Sequence, residues 1–215
     1  AGYRHIDTAA MYDNESAVGE GVRAGGVPRD DIFITTKVWP SNIGEGALQR
    51  SVEQSLRNLA VDVVDLVLIH WPSPRIPLRE SIAALNDVQR RGLARHIGVS
   101  NFDAPLLAEA WSLSAAPLAA NQCEYHPYQS QAATIAACRE RGMAFVAYSP
   151  LARREVLDEP AIQDIAMRHG KTAAQAVLRW AIQQDGVVAI PKSSRPARIR
   201  QNIEIFDFAL SDDEM

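Results

Sequence analysis

A chain of 215 residues is long enough for one large domain, and less comfortably for two small ones. A net charge of -4, with 22% charged residues, offers no basic face for nucleic acid, and no apolar run reaches the length of a membrane span. The start lacks the charged-then-apolar order of a secretory signal. The only cysteines, Cys123 and Cys138, lack metal spacing, so they read as buried thiols of a reducing, cytoplasmic setting.

The chain opens in a short strand over 3–7 that puts His5 and Asp7 on one face, because strand side chains alternate with period two. A polar loop then delivers Tyr12, just before Asp13-Asn14-Glu15, residues suited to cap a helix over 14–24 that Gly25-Gly26 ends. A β-rich run over 32–39 is stopped by Pro40, and Leu48, Val52, Leu56 and Leu59 mark one face of a helix over 47–59. The run over 63–70 is apolar on both faces and ends in His70, Trp71 and Pro72. A helix over 78–91, a strand over 95–99 running into Ser100-Asn101-Phe102, a helix over 105–113 and a strand over 118–122 follow. The pattern continues with a helix over 131–141, a strand over 144–148, helices over 159–169 and 173–184, a strand over 187–191 and a helix over 197–203.

Strand and helix alternate throughout, with no linker or change of composition, so a single domain over 1–215 with a parallel sheet flanked by helices is expected. No glycine-rich fingerprint joins a strand to a helix, which disfavours an open dinucleotide-binding sheet. The polar residues suited to chemistry lie at C-terminal strand ends, where a (β/α)8 TIM barrel builds its site. Seven strands are visible where such a barrel needs eight. The expectation is therefore a barrel incomplete at both ends, without its first βα unit and its C-terminal tail.

Taken singly, Lys37 reads equally well as a surface lysine, and His70 as a satisfied core histidine. Together, Asp7, Tyr12, Lys37 and His70 come from three successive strand ends or the loops after them. An ammonium near a phenol favours the phenolate, a carboxylate can hold that ammonium, and a neutral imidazole can donate to a carbonyl oxygen. Such a quartet is a proton donor beside an oriented carbonyl, and it lacks only a source of hydride.

The stretches GYRHIDTAAMYDNE, ITTKVW, LIHWPSP, GVSNF, NQCEYHP, AYSPLA and IPKSSRPARIRQN resemble, in order, the signatures of the aldo-keto reductase family, most closely its bacterial 2,5-diketo-D-gluconate reductase-type members. The resemblance implies NADPH-dependent reduction of a small aldehyde or ketone by a monomer. Tyr12 would be the general acid, Lys37 and Asp7 its tuning pair, and His70 the residue that orients the carbonyl. Ser100, Asn101 and Gln122 would hold the nicotinamide carboxamide, Tyr148 would stack on the ring, and Ser149 and Leu151 would touch the pyrophosphate region. Lys192, Ser193, Arg198, Gln201 and Asn202 would line the adenosine end, although charge alone would make 192–202 a solvated, basic helix start. Gln201 stands where the family usually has Glu; it keeps an acceptor oxygen and adds a donor. Trp39 and Trp71, at strand ends, suggest an aromatic wall for the substrate.

Two other readings compete. A non-catalytic barrel that binds the nicotinamide cofactor for sensing or regulation has no need of Tyr12. A metal-dependent hydrolase built on His5 and Asp7 would want further strand-end ligands, but His96 and His126 have no obvious carboxylate partners, so no metal is expected.

Overall fold

The computed structural model describes all residues, 1–215. Its strands are β1 (His5–Asp7), β2 (Phe33–Val38), β3 (Val64–Ile69), β4 (Ala94–Ser100), β5 (Leu118–Glu124), β6 (Ala144–Tyr148) and β7 (Val187–Ala189). Its helices are α1 (Glu15–Ala24), α2 (Ala47–Leu59), α3 (Leu78–Arg90), α4 (Ala104–Leu113), α5 (Ala132–Glu140), α6 (Pro160–Arg168), α7 (Ala173–Ile182) and α8 (Pro196–Ile203). Strand order follows chain order from β1 to β7, the βα organisation of a (β/α)8 barrel with seven strands in this chain. No helix is long and apolar enough to cross a membrane.

The chain divides into two compact units, one of residues 4–121 and one of residues 122–215 with 1–3. In the first, β1 to β4 pair in parallel, in register Asp7 with Thr35, Lys37 with Leu68, and Ile69 with Val99. All six residues of β3 are buried, as expected of an apolar strand covered on both faces. The α2 face of Leu48, Val52, Leu56 and Leu59 is also buried, each side chain contributing about 1.5–3 kcal/mol.

Two glycines permit close approach in this unit. A Cβ on Gly19 would lie 2.2 Å from the Leu59 carbonyl oxygen, so α1 rests directly on the C-terminal end of α2. A Cβ on Gly98 would lie 2.5 Å from the Ala120 carbonyl oxygen and 2.8 Å from Leu68 Cδ2. At the N-terminal strand ends, buried Asp65 accepts from the Ile34 N–H (2.8 Å) and pairs with Arg29 (2.8 Å) and Arg95 (2.9 Å). That carboxylate fastens β2, β3 and the start of β4 opposite to the end where the quartet lies.

In the second unit β6 and β7 pair in parallel, Phe145 with Val187. Thr172 and Gln175 form a reciprocal capping box that starts α7. Tyr125 stacks on Trp180 and donates to Gln184 Oε1 at 2.7 Å. The Tyr3 hydroxyl donates to the Ile199 carbonyl oxygen of α8 at 3.3 Å, which places residues 1–3 with this unit. Cys123 and Cys138 are both buried and form no disulfide.

The expected elements are present, with local differences. Asn14 stands at the N-cap of α1 but does not cap it, because its Oδ1 accepts from the Thr8 hydroxyl at 2.7 Å. Short 3-10 turns occupy Ala10–Tyr12, Arg29–Asp31, Pro40–Asn42 and Ala152–Asp158 in stretches with no apolar period to announce them.

Candidate active site

The first unit brings Asp7, Tyr12, Lys37 and His70 together. Asp7 ends β1, Lys37 lies one residue before the end of β2, and His70 immediately follows β3, its N–H donating to the Val38 carbonyl oxygen at 2.9 Å. Tyr12 closes the turn Ala10–Tyr12, held by its own N–H on the Ala9 carbonyl oxygen (3.0 Å). Asp13 then turns the chain in the left-handed region (φ 50°), which Asp tolerates better than most residues. Thr8 anchors the turn from both sides: its N–H donates to the Thr35 carbonyl oxygen at 2.9 Å, and its hydroxyl donates to Asn14 Oδ1.

Lys37 is the centre of this arrangement. Its side chain is 0% exposed, and Nζ donates to Asp7 Oδ1 at 2.5 Å and to the Thr8 carbonyl oxygen at 2.9 Å. It also lies 5.1 Å from the centroid of the Tyr12 ring. A buried ammonium persists only when paired and hydrogen-bonded, and here both conditions hold. The Tyr12 side is open, with the residue 48% exposed.

His70 meets Tyr12 edge to face at 5.6 Å and Trp39 at 5.2 Å. Burial, reinforced by the charge of Lys37 and opposed by Asp7, lowers its pKa to about 4. The imidazole is therefore neutral around pH 7, and its Nδ1 is buried without a partner. A neutral imidazole carries one N–H and one acceptor nitrogen, so it can hydrogen-bond a carbonyl oxygen without bringing a charge.

Of the expected substrate wall, Trp39 packs on His70, whereas Trp71 is 43% exposed. Ser100 is buried at the end of β4, and Asn101 (φ 64°) donates from Nδ2 to the His70 carbonyl oxygen at 2.9 Å and to Ser100 Oγ at 3.1 Å. These two residues thus adjoin the quartet within one unit.

The remaining expected residues belong to the second unit. Gln122 is buried on β5, Tyr148 ends β6 half-buried, Ser149 is left-handed at φ 48°, and Leu151 precedes the turn Ala152–Asp158. Lys192 is exposed after β7, and Ser193 Oγ accepts the Arg195 N–H at 3.1 Å. On α8, Arg198 is half-buried, Gln201 exposed and Asn202 buried. Neighbouring Arg195, desolvation and Arg154 push the Arg198 pKa down, and none of these three guanidinia has a carboxylate partner. This is a cluster of uncompensated cations.

Sequence reasoning missed two participants. The Thr8 carbonyl is a second acceptor for Lys37, and backbone acceptors leave no sequence signal. Glu15, which reads as an acid at a helix start, is buried, accepting from Thr36 Oγ1 at 2.6 Å and Asn58 Nδ2 at 3.0 Å.

A model described as the Aldo/keto reductase family matches residues 1–215. Glyoxal reductase of Bacillus subtilis is 42% identical over 214 residues, covering 100% of this chain and 77% of its own. A crystal structure provisionally described as a 2,5-diketo-D-gluconic acid reductase B is 48% identical, with a TM-score of 0.98, covering 100% of this chain and 76% of its own. A Bombyx mori aldo-keto reductase solved in complex with NADP is 37% identical, with a TM-score of 0.93, covering 99% of this chain and 76% of its own.

Proposed function

We propose, from the premise that this chain belongs to the aldo/keto reductase family, that it reduces a small aldehyde or ketone to the alcohol with NADPH, using Tyr12 as the proton donor. The observation that carries the reading is the burial of Lys37 between Asp7, the Thr8 carbonyl and the Tyr12 ring. A phenol with an ordinary pKa of about 10 is a weak acid at neutrality, and a fixed ammonium beside it favours the phenolate left after the proton has gone. Asp7 keeps that ammonium in place. The neutral His70 donates its N–H to the carbonyl oxygen and aligns it with Tyr12.

NADPH, when bound, supplies the hydride to the carbonyl carbon. The carbonyl oxygen takes its proton from the Tyr12 hydroxyl, so carbonyl becomes alcohol and Tyr12 is reprotonated from solvent, to which its half-exposed side chain is open. The residues fit the cofactor's phosphorylated end, since Arg154, Arg195 and Arg198 carry charge with no carboxylate to neutralise it. A ribose 2′-phosphate would supply the counter-charge, with Arg198 as a fork of donors and Lys192 as a point charge. By family resemblance, Ser100, Asn101 and Gln122 take the carboxamide, Tyr148 the ring, Ser149 and Leu151 the pyrophosphate region, and Ser193, Gln201 and Asn202 the adenosine. Trp39, already packed on His70, is the better-supported substrate wall.

The test is NADPH consumption with a panel of methylglyoxal, sugar-derived diketones and aromatic aldehydes, with and without a chelator. Chelator-insensitive consumption supports the reading. Binding of NADPH without turnover on any member would favour a sensing role, and chelator-sensitive hydrolysis would favour a metal enzyme.

A further inference from the structure

The Tyr12 side chain meets its neighbours through its ring, whose centroid lies 5.1 Å from Lys37 Nζ and 5.6 Å from that of His70. Its place beside Lys37 is therefore set by the backbone that carries it, residues 8–15. That backbone is fastened by two side chains to which the proposed chemistry gives no part. Asn14 Oδ1 accepts from the hydroxyl of fully buried Thr8 at 2.7 Å, which closes the segment on itself around Tyr12. Glu15, only 3% exposed, accepts from Thr36 Oγ1 at 2.6 Å and from Asn58 Nδ2 at 3.0 Å.

Each bond departs from what local chemistry favours. An Asn before a helix ordinarily accepts a backbone N–H of the first turn, yet α1 starts without such a cap because Asn14 faces Thr8 instead. A carboxylate costs free energy to bury, and an apolar side chain could join α1 to β2 without that cost. What hydrogen bonds add is direction, since they hold only over a narrow range of distance and angle. Both bonds lead to β2. The Thr8 N–H donates to the Thr35 carbonyl oxygen at 2.9 Å, Glu15 takes the Thr36 hydroxyl, and the next residue on the strand is Lys37. The strand that presents the ammonium thus also holds both ends of the Tyr12 turn.

We infer that Asn14 and Glu15 are positioning residues that hold the Tyr12 ring against Lys37 and His70. The inference rests on the reading of Tyr12 as the proton donor. Asn14 ties the end of the turn to its beginning, and Glu15 ties it to β2 through Thr36 and to α2 through Asn58. Both act through the place of Tyr12 and not on the carbonyl itself. A displacement of the phenol by about 1 Å is enough to cost about 100-fold in rate, while the groups that bind cofactor and carbonyl stay where they are.

Asn14 is exposed, and Ser starts helices as well as Asn does but is too short to reach Thr8 in the same way, so Asn14→Ser keeps the fold and loses the clasp. With NADPH and methylglyoxal, Asn14→Ser and Glu15→Ala should lower kcat and kcat/KM together by about 10–100-fold, with KM near that of wild type. Asn14→Asp keeps the acceptor oxygen, and Glu15→Gln keeps an oxygen for Asn58 while its amide donates to Thr36, so both should retain most of the turnover. Position is read without turnover from the His70 ring signals in a proton–carbon NMR spectrum, assigned with His70→Gln, because the Tyr12 ring packs on that imidazole. In Asn14→Ser and Glu15→Ala these signals should move towards their place in Tyr12→Ala. Unmoved His70 signals, wild-type turnover in Asn14→Ser while Tyr12→Phe is inactive, or equal damage by Asn14→Asp and Asn14→Ser would each overturn the inference. Turnover retained in Tyr12→Phe would instead overturn the reading of Tyr12 as proton donor, and the positioning role with it.

Discussion

Removing the Asp7 carboxylate is the sharpest perturbation of the quartet. The Lys37 side chain is fully buried and that of Asp7 only 9% exposed, and the two meet at 2.5 Å. In Asp7→Ala the ammonium keeps the Thr8 carbonyl as its one remaining hydrogen bond among those described above. Breaking a buried ion pair from one side costs about 3–5 kcal/mol, because the other charge stays buried without compensation. With a urea m-value of about 2 kcal/mol/M, the midpoint should fall by roughly 1.5–2.5 M. Adding Lys37→Met removes the stranded charge and leaves an apolar chain of similar length, so the double variant should regain most of the loss. Both variants should be inactive. The assay is urea unfolding of wild type, the two single variants and the double. If Asp7→Ala costs less than about 1 kcal/mol, or if Lys37→Met deepens its loss, the ammonium does not depend on Asp7 and the reasoning fails.

Three further outcomes follow from the same geometry. His70 takes up a proton near 6.5 when unfolded but stays neutral to about 4 when folded, so its contribution to stability is full above 6.5 and is lost progressively as pH falls from 6.5 towards 4. The pH dependence of the urea midpoint should be flatter in His70→Gln, with a residual slope from His5, whose pKa burial also lowers; an identical slope would contradict the assignment. Arg198→Ala should weaken NADPH by about 10–100-fold and NADH little, the loss expected for a charge-assisted bond; equal loss for both would make Arg198 structural. Gly19→Ala should destabilise by about 1–3 kcal/mol despite the better helix propensity of Ala, since its Cβ meets backbone at 2.2 Å; a melting point at or above wild type would show that α1 can shift away.

Much of this was legible because strand ends and helix faces obey simple periods. Leu48, Val52, Leu56 and Leu59 marked the buried face of α2, and the unbroken apolar run before His70 marked a strand covered on both sides. The quartet followed from polar residues at the ends of β-rich runs. What could not be read depends on partners distant in sequence. Glu15 is buried because Thr36 and Asn58 reach it, and neither spacing announces that. Asn14 looks like a helix cap until Thr8 claims its oxygen. The turn Ala152–Asp158, with Arg153 and Arg154 at φ 50° and 90°, runs against the preference of arginine for negative φ, so local propensity points away from it. The proximity of Arg154 to Arg198, across more than forty positions, belongs to the same class.

The most direct test of the central claim is Tyr12→Phe, which removes one hydroxyl and keeps the ring that faces Lys37 and His70. NADPH affinity is measured by quenching of protein fluorescence, and turnover by NADPH consumption with methylglyoxal. The account predicts affinity within about twofold of wild type and turnover lower by at least about 100-fold, as expected for loss of a general acid. Turnover at the wild-type rate would show that the proton comes from another group and would contradict the account.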